Sequence, residues 1–349
     1  MLTVQTRLRR ADAVAILRIM KPFVLLLISF CLVAQGIVAA PKKPEAGKAW
    51  MDPAKVEDED FLIQGEFTGE DSGKKMGVQI WAQGDGKFEA VKYQGGLPGD
   101  GWDGDRSTVS RMKGERVAGE KTVKFEQPDK KAVADGQSFS VVDGKGQPVA
   151  TLKRVARQSP TMGVKPPQGA VVLFDGKDAA HFPDGKVTPE GLLEQGATSS
   201  DKFGDCTLHV EFMLSFKPFA RGQDRGNSGV YVQGRYEVQV LDSFALEGKD
   251  NECGGIYSIA APKQNMCFPP LVWQTYDIDF TAAKYDAAGK KTTNAKMTVK
   301  HNGVTVHENV DLSHSTTAAP VNEGPEPGPL HLQNHGNPAR YRNIWFLAK

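Results

Sequence analysis

The chain has 349 residues, of which 40% are hydrophobic and 24% charged. This is a globular composition, long enough for two domains with their own cores. A net charge of +1 gives no basic footprint, so no nucleic-acid partner is expected. The 37 glycines and 21 prolines favour turns over long helices.

Residues 1–40 have the pattern of a secretory signal. Arg7, Arg9, Arg10, Arg18 and Lys21 precede the apolar run FVLLLISFCLVAQGIVAA, which ends in small residues. Cleavage fits near Ala40 or after Gly36, and Met20 offers an alternative start. The expectation is an exported protein, periplasmic or extracellular. It would touch a membrane only through this segment, if uncleaved. Processing leaves Cys206, Cys253 and Cys267. Cys253 and Cys267 bracket a short Gly- and Pro-rich loop and are the expected disulfide. Cys206, in CTLHVEFML, reads as a small core residue.

Residues 41–58 are polar and broken by proline, a linker. From 59 to 157 the runs FLIQGEF, GVQIWAQ, KFEAVKY, KTVKFEQ, QSFSVVD and QPVATLKRV alternate with period two. They predict a small all-β domain of unassigned role. DGKG between the last two is a hairpin signal. The glycine-rich stretch YQGGLPGDGWDGDR reads as a loop anchored by Trp102. Residues 158–168 contain three prolines and form a second linker. Residues 169–349 again carry short alternating runs without a convincing helix. The fold class is therefore all-β, a two-sheet sandwich preceded by a smaller all-β domain. Asn302-Gly303 is a type I′ turn signal that sets His301 opposite Val304 and Val299 opposite Val306.

The most informative stretch is NSGVYVQGRYEVQVLDS, Asn227 to Ser243. Val230, Val232, Tyr236, Val238 and Val240 would face a core. Tyr231, Gln233, Arg235, Glu237 and Gln239 would share the other face of two adjacent strands. Antiparallel sheets often wet one face, but amides and aromatic rings also suit sugar hydroxyls and sugar ring faces. Nearby, HLQNHG places His331 and Gln333 on one strand face with His335 near its end, and RYRNIWF supplies Arg340, Arg342 and Asn343. A histidine near a carboxylate suits general acid–base work. GQDRGNSG offers Asp224, Arg225 and Asn227, and DSFALEGKDNECGG offers Glu247, Asp250 and Glu252. Neither has the spacing of a calcium loop. There is no phosphate loop, nucleophile elbow or zinc motif.

Glu237-x-Gln239-x-x-Asp242 is similar to the Glu-x-Asp-x-x-Glu strand of laminarinase-type glucanases. Retaining glycosidases need two carboxylates about 5–5.5 Å apart. Here Gln239 replaces the middle acid, and Asp242 would point away from Glu237 in a regular strand. A wider set of segments, in order, resembles the 3-keto-disaccharide hydrolase domain: VVLFDGKD, NSGVYVQGRYEVQVLDS, CGGIYSIAAPKQNMCFPPLVWQTYDIDF, VKHNGVTVHENV and GPLHLQNHGNPARYRNIWF. The resemblance covers about Gly169 to Lys349. It implies a concanavalin-A-like jelly-roll sandwich in exported bacterial proteins, acting on glycosides oxidised to a ketone at C3.

Keto-sugar chemistry accounts for the missing acid. A C3 ketone acidifies the C2 proton; one base removes it, the glycosidic oxygen leaves, and water adds back. The expected roles are Glu237 as base or metal ligand, His335 as acid–base partner, and Arg235 with Gln239 orienting the sugar or stabilising the enolate. Tyr231, Gln233, Asn227, His331 and Gln333 are the expected sugar contacts. No cofactor is required, although a divalent metal held by Glu237 and Asp224 could replace the arginine. The alternatives are a non-catalytic carbohydrate-binding protein and a glucanase-like hydrolase.

Overall fold

The computed structural model describes residues 47–349 except Ala118 and Asp129, so the expected signal segment lies outside the described residues. Among those residues no helix is long and apolar enough to cross a membrane. Apart from a one-turn helix at Asp60–Ile63 and three single 3₁₀ turns, the regular structure is all β.

Eight antiparallel strands close into an up-and-down barrel: β1 (Gly65–Asp71), β2 (Lys74–Ala82), β3 (Lys87–Gln94), β4 (Ser110–Glu115), β5 (Val123–Gln127), β6 (Lys130–Ala134), β7 (Ser138–Val142) and β8 (Pro148–Val155), with β8 returning to β1. Closure leaves no free sheet edge. Phe67, Val78, Ile80, Phe88, Phe125, Phe139 and Leu152 fill the inside. The period-two rule then sends the intervening residues of β2 and β3 outward. Trp81, Val91 and Tyr93 do not meet water there; they join the core of the following domain.

That domain is a sandwich. Its strands are β9 (Val171–Phe174), β10 (Leu193–Glu194), β11 (Ala197–Phe203), β12 (Cys206–Leu214), β13 (Ser228–Val232), β14 (Tyr236–Val240), β15 (Trp273–Thr281), β16 (Lys284–Tyr285), β17 (Lys291–Thr293), β18 (Ala295–His301), β19 (Val304–Leu312), β20 (Gly328–Leu332) and β21 (Ala339–Ala348). One sheet runs β10-β21-β12-β15-β18-β19, with β9 added on β21; the other runs β11-β20-β13-β14; β16 and β17 make a small separate ribbon. Buried Val, Leu, Ile and Phe side chains of the two large sheets form one core, which includes Cys206.

Two expectations need correction. The Asn302-Gly303 turn forms, with both residues at positive φ, and pairs His301 with Val304 and Lys300 with Thr305. Val299, however, pairs with His307 rather than Val306, because the register shifts at a bulge. His307 Nε2 is thereby placed 2.7 Å from the Gly254 carbonyl. The expected disulfide is not formed: Cys253 and Cys267 are buried free thiols in hydrogen-bond contact. Cys253 Sγ also lies 3.2 Å from the Tyr276 hydroxyl, and Cys267 Sγ lies 3.4 Å from the Phe268 carbonyl.

Candidate active site

The site is built on β13 and β14. Their register sets Tyr231 opposite Glu237 and Gly229 opposite Gln239. Val230, Val232, Tyr236, Val238 and Val240 enter the sandwich core, so the odd-numbered side chains project from the outer face. That face is not wet. The outer edge of β14 is occupied by two loops: Gln239 N–H donates to the Gly255 carbonyl and Tyr257 N–H to the Glu237 carbonyl. Glu237 N–H donates to Thr316 Oγ1 at 2.9 Å. Tyr231, Glu237 and Gln239 are consequently at most 2% exposed.

A cavity of about 100 Å³ remains beside Glu237, lined by Tyr231, Gln239, Asn227, Gln333 and His335 of the expected set, and by Gln223, Tyr257, Thr317 and Ala318. His335 is exposed and stands on the solvent side. Glu237 is the single acid among the lining residues, and no Lys or Arg lines the cavity. The Tyr231 hydroxyl lies 2.8 Å from Glu237 Oε2 and 3.1 Å from the Thr317 carbonyl, while Gln333 Nε2 donates to it at 3.1 Å. Its one proton therefore chooses between a carboxylate and a carbonyl. Gln223 Oε1 accepts from Asn227 Nδ2 at 3.0 Å and Gln239 Nε2 at 3.2 Å.

These bonds use one N–H of each amide and leave acceptors over. Glu237 Oε1, Asn227 Oδ1 and Gln333 Oε1 are buried without a partner. Three orphan oxygens around one cavity are an arrangement native proteins avoid unless something else satisfies them. They suit a ligand rich in O–H donors or a hard cation. Burial pushes the Glu237 carboxyl up to about 8, and only the Tyr231 hydrogen bond pulls the other way. The carboxylate has room because Gly229 lacks a side chain: a Cβ there would lie 2.1 Å from Glu237 Oε1. Ala318, in the cavity wall, is held at a φ of 59°, the kind of backbone strain that accumulates at functional sites.

Four expected residues are placed elsewhere. β14 begins at Tyr236, so Gln233 and Arg235 fall in the three-residue turn after Val232 and lose the strand's alternation. Arg235 donates to the carbonyls of Asn322 and Glu326 and to Gln233 Oε1; Gln233 donates to the Phe203 carbonyl. The expected enolate-stabilising arginine is thus a clamp on the 322–326 loop. His331 packs edge-on against Tyr231 and lies 2.8 Å from Thr198 Oγ1, with its basicity lowered by burial. Asp224 is exposed and outside the cavity, so it does not join Glu237 as a metal ligand. Asp242 turns to Arg225, 2.9 Å away and equally buried. Arg342 and Asn343 bind Glu211 on the seven-stranded sheet. Glu252 caps its own loop by accepting from Gly248 N–H.

Gln223 escaped the sequence reading although its loop did not: it lies four residues before Asn227 and bonds to it. Tyr257 follows CGGI in a segment without periodicity. Thr317 and Ala318 carry no local signal at all. The loop that delivers Gln223 and Asn227 is gripped by the barrel. Arg225 sits 4.3 Å and Arg221 5.3 Å from the Trp81 ring centre, and Arg221 donates to the Gln83 carbonyl at 2.7 Å.

The model of the 3-keto-alpha-glucoside-1,2-lyase-like domain matches residues 169–347. The chain belongs to this family. The lyase-like family acts on glycosides, and its domain here is the sandwich that carries Glu237. No curated protein matches the chain. Among solved structures the sandwich is similar to three proteins of Parabacteroides distasonis ATCC 8503, each described as a "putative glycosyl hydrolase". They are 30%, 16% and 22% identical, each over 52% of this chain and over 85%, 94% and 99% of their own, with TM-scores of 0.46, 0.38 and 0.38.

Proposed function

We propose that this chain is exported and cleaves 3-keto-glycosides by elimination across C1–C2 followed by addition of water. The reading is carried by a buried carboxylate with a free oxygen, standing alone in its cavity. A glycosidase of the two-carboxylate kind needs a second acid within reach, and none lines the site. Removal of one activated C–H proton needs only one base, and a carboxyl raised to about 8 is matched to that task at neutral pH.

In this mechanism Glu237 Oε1 takes the C2 proton and the electron pair moves to the C3 oxygen as an enolate. The enolate re-forms the ketone as the C1–O bond breaks, and the departing oxygen takes a proton from His335. Water then adds to C1 and a proton returns to C2, giving net hydrolysis. As Glu237 is protonated, the Tyr231 hydroxyl is free to turn its proton to the Thr317 carbonyl, so the new acid is not faced by a competing donor. With Arg235 diverted, the enolate oxygen would be met by neutral donors from the cavity wall, which includes Tyr257 and Gln239. The oxygens of Glu237, Asn227 and Gln333 also fit a hard divalent cation, which would polarise the ketone.

The experiment is incubation with a 3-keto-glucoside in deuterated buffer. The expected result is release of the aglycone with deuterium at C2, both lost in Glu237→Gln, and no action on the unoxidised glucoside. Binding without release would identify a lectin. Cleavage of the unoxidised glucoside would refute the keto mechanism. Loss of activity in chelator, restored by a divalent ion, would establish the metal.

A further inference from the structure

A second cavity, sharing no residue with the first, lies where the barrel meets the sandwich. It holds about 300 Å³, the scale of a small-molecule pocket, and domain junctions are where such pockets concentrate. Its barrel side is aromatic. Trp102 and Tyr93 pack edge to face with ring centres 5.1 Å apart, and Val109 and Leu246 extend the apolar surface. Trp102 Nε1 is buried with no hydrogen-bond partner, a donor left over beside an otherwise apolar floor.

The rim is charged and unevenly satisfied. Arg111 pairs with Glu89 at 2.7 Å, and Glu247 pairs with Lys249 at 3.1 Å. Arg106 differs. Its Nη2 donates to the carbonyls of Gly248 at 3.1 Å and Pro262 at 3.4 Å, which fixes the guanidinium across the seam. No carboxylate among the described residues forms an ion pair with it. A guanidinium oriented by backbone carbonyls, with N–H groups to spare and Glu247 acting on it only through space rather than in an ion pair, is prepared for a planar anion.

We propose that this seam cavity binds a sugar ring carrying a carboxylate, its apolar face on the Tyr93–Trp102 pair and its carboxylate on Arg106. The site is made by both domains together, which gives the barrel a role in recognition. It also makes the protein a reader of acidic glycans, independently of the chemistry at Glu237.

The test is calorimetric titration of the full chain with glucuronate, with glucose and benzoate as comparators. Glucuronate is expected to bind one to one, about tenfold or more tighter than glucose, because glucose has the ring surface but no carboxylate for the guanidinium. Arg106→Gln, on an exposed turn, should weaken glucuronate about tenfold and leave the circular dichroism unchanged. Val109→Trp should fill the cavity and abolish binding, whereas Glu237→Gln should bind as the parent does. Glucuronate binding that is undetectable, or unchanged by Arg106→Gln, would overturn the proposal. Loss of binding in Glu237→Gln would assign the ligand to the other cavity, and tighter binding of benzoate would refute a sugar as occupant.

Discussion

Consider Glu237→Gln as a probe of stability rather than of rate. The substitution keeps the shape of the side chain and removes its charge. Burial raises the folded carboxyl from its ordinary 4.5 to about 8. Between those two pH values the folded chain holds a proton that the unfolded chain has released. Stability contributed by this group is therefore fully present below pH 4.5, falls as pH rises towards 8, and is constant above. At 1.36 kcal/mol per pH unit the whole interval amounts to roughly 5 kcal/mol, and water entering the cavity reduces it. The side chain is 2% exposed, so solvent screening takes little from that figure in the absence of such water. The glutamine variant has no charge to bury. It should match the parent near pH 4.5 and exceed it at pH 9, by up to about 10 °C in melting temperature at roughly 2 °C per kcal/mol. The assay is thermal unfolding of both proteins at the two pH values, taking the difference so that other titrating groups cancel. A difference that does not change with pH would show that Glu237 ionises as it does in water and is not a raised base.

The same carboxyl sets the acid limb of the rate profile: kcat/KM on a 3-keto-glucoside should climb towards pH 8 as Glu237 loses its proton, and no rise between pH 6 and 8 would exclude it as base. Gly229→Ala places a methyl 2.1 Å from Glu237 Oε1 and should cost about 100-fold in kcat/KM by displacing the base. Gly204→Ala, which meets open space, is the control and should be silent. Asp242→Asn strands the Arg225 guanidinium, 3% exposed, and should destabilise by about 3 kcal/mol in a denaturant melt. Trp81→Ala removes the ring on which Arg221 and Arg225 pack, leaving the Arg221 bond to the Gln83 carbonyl; hydrogen exchange of residues 217–227 should speed up and KM should rise while the barrel still folds. Unchanged exchange would mean that the loop holds itself.

Where the reading of the chain succeeded, the determinant was local. Alternation in SGVYV and YEVQV is enough to divide Val230, Val232, Val238 and Val240 from Tyr231, Glu237 and Gln239, because successive side chains of a strand cannot share a face. Asn302-Gly303 fixes its own turn for an equally local reason, since both residues tolerate positive φ. Gln233 and Arg235 fail the same rule by one position: alternation holds only inside the strand, and the sequence does not mark where a turn begins.

The bulge that moves Val299 onto His307, and the cysteines that meet without bonding, depend on neighbours distant in the chain. So does the chemistry. Glu237 would be an ordinary surface acid on an open sheet. It is a raised, half-satisfied base because loops from residues 223–227, 254–257 and 316–318 close over it, and desolvation is a sum over everything that excludes water. The seam cavity has no sequence signature for the same reason: Trp102, Arg106 and Leu246 acquire a common purpose only when two domains are packed together.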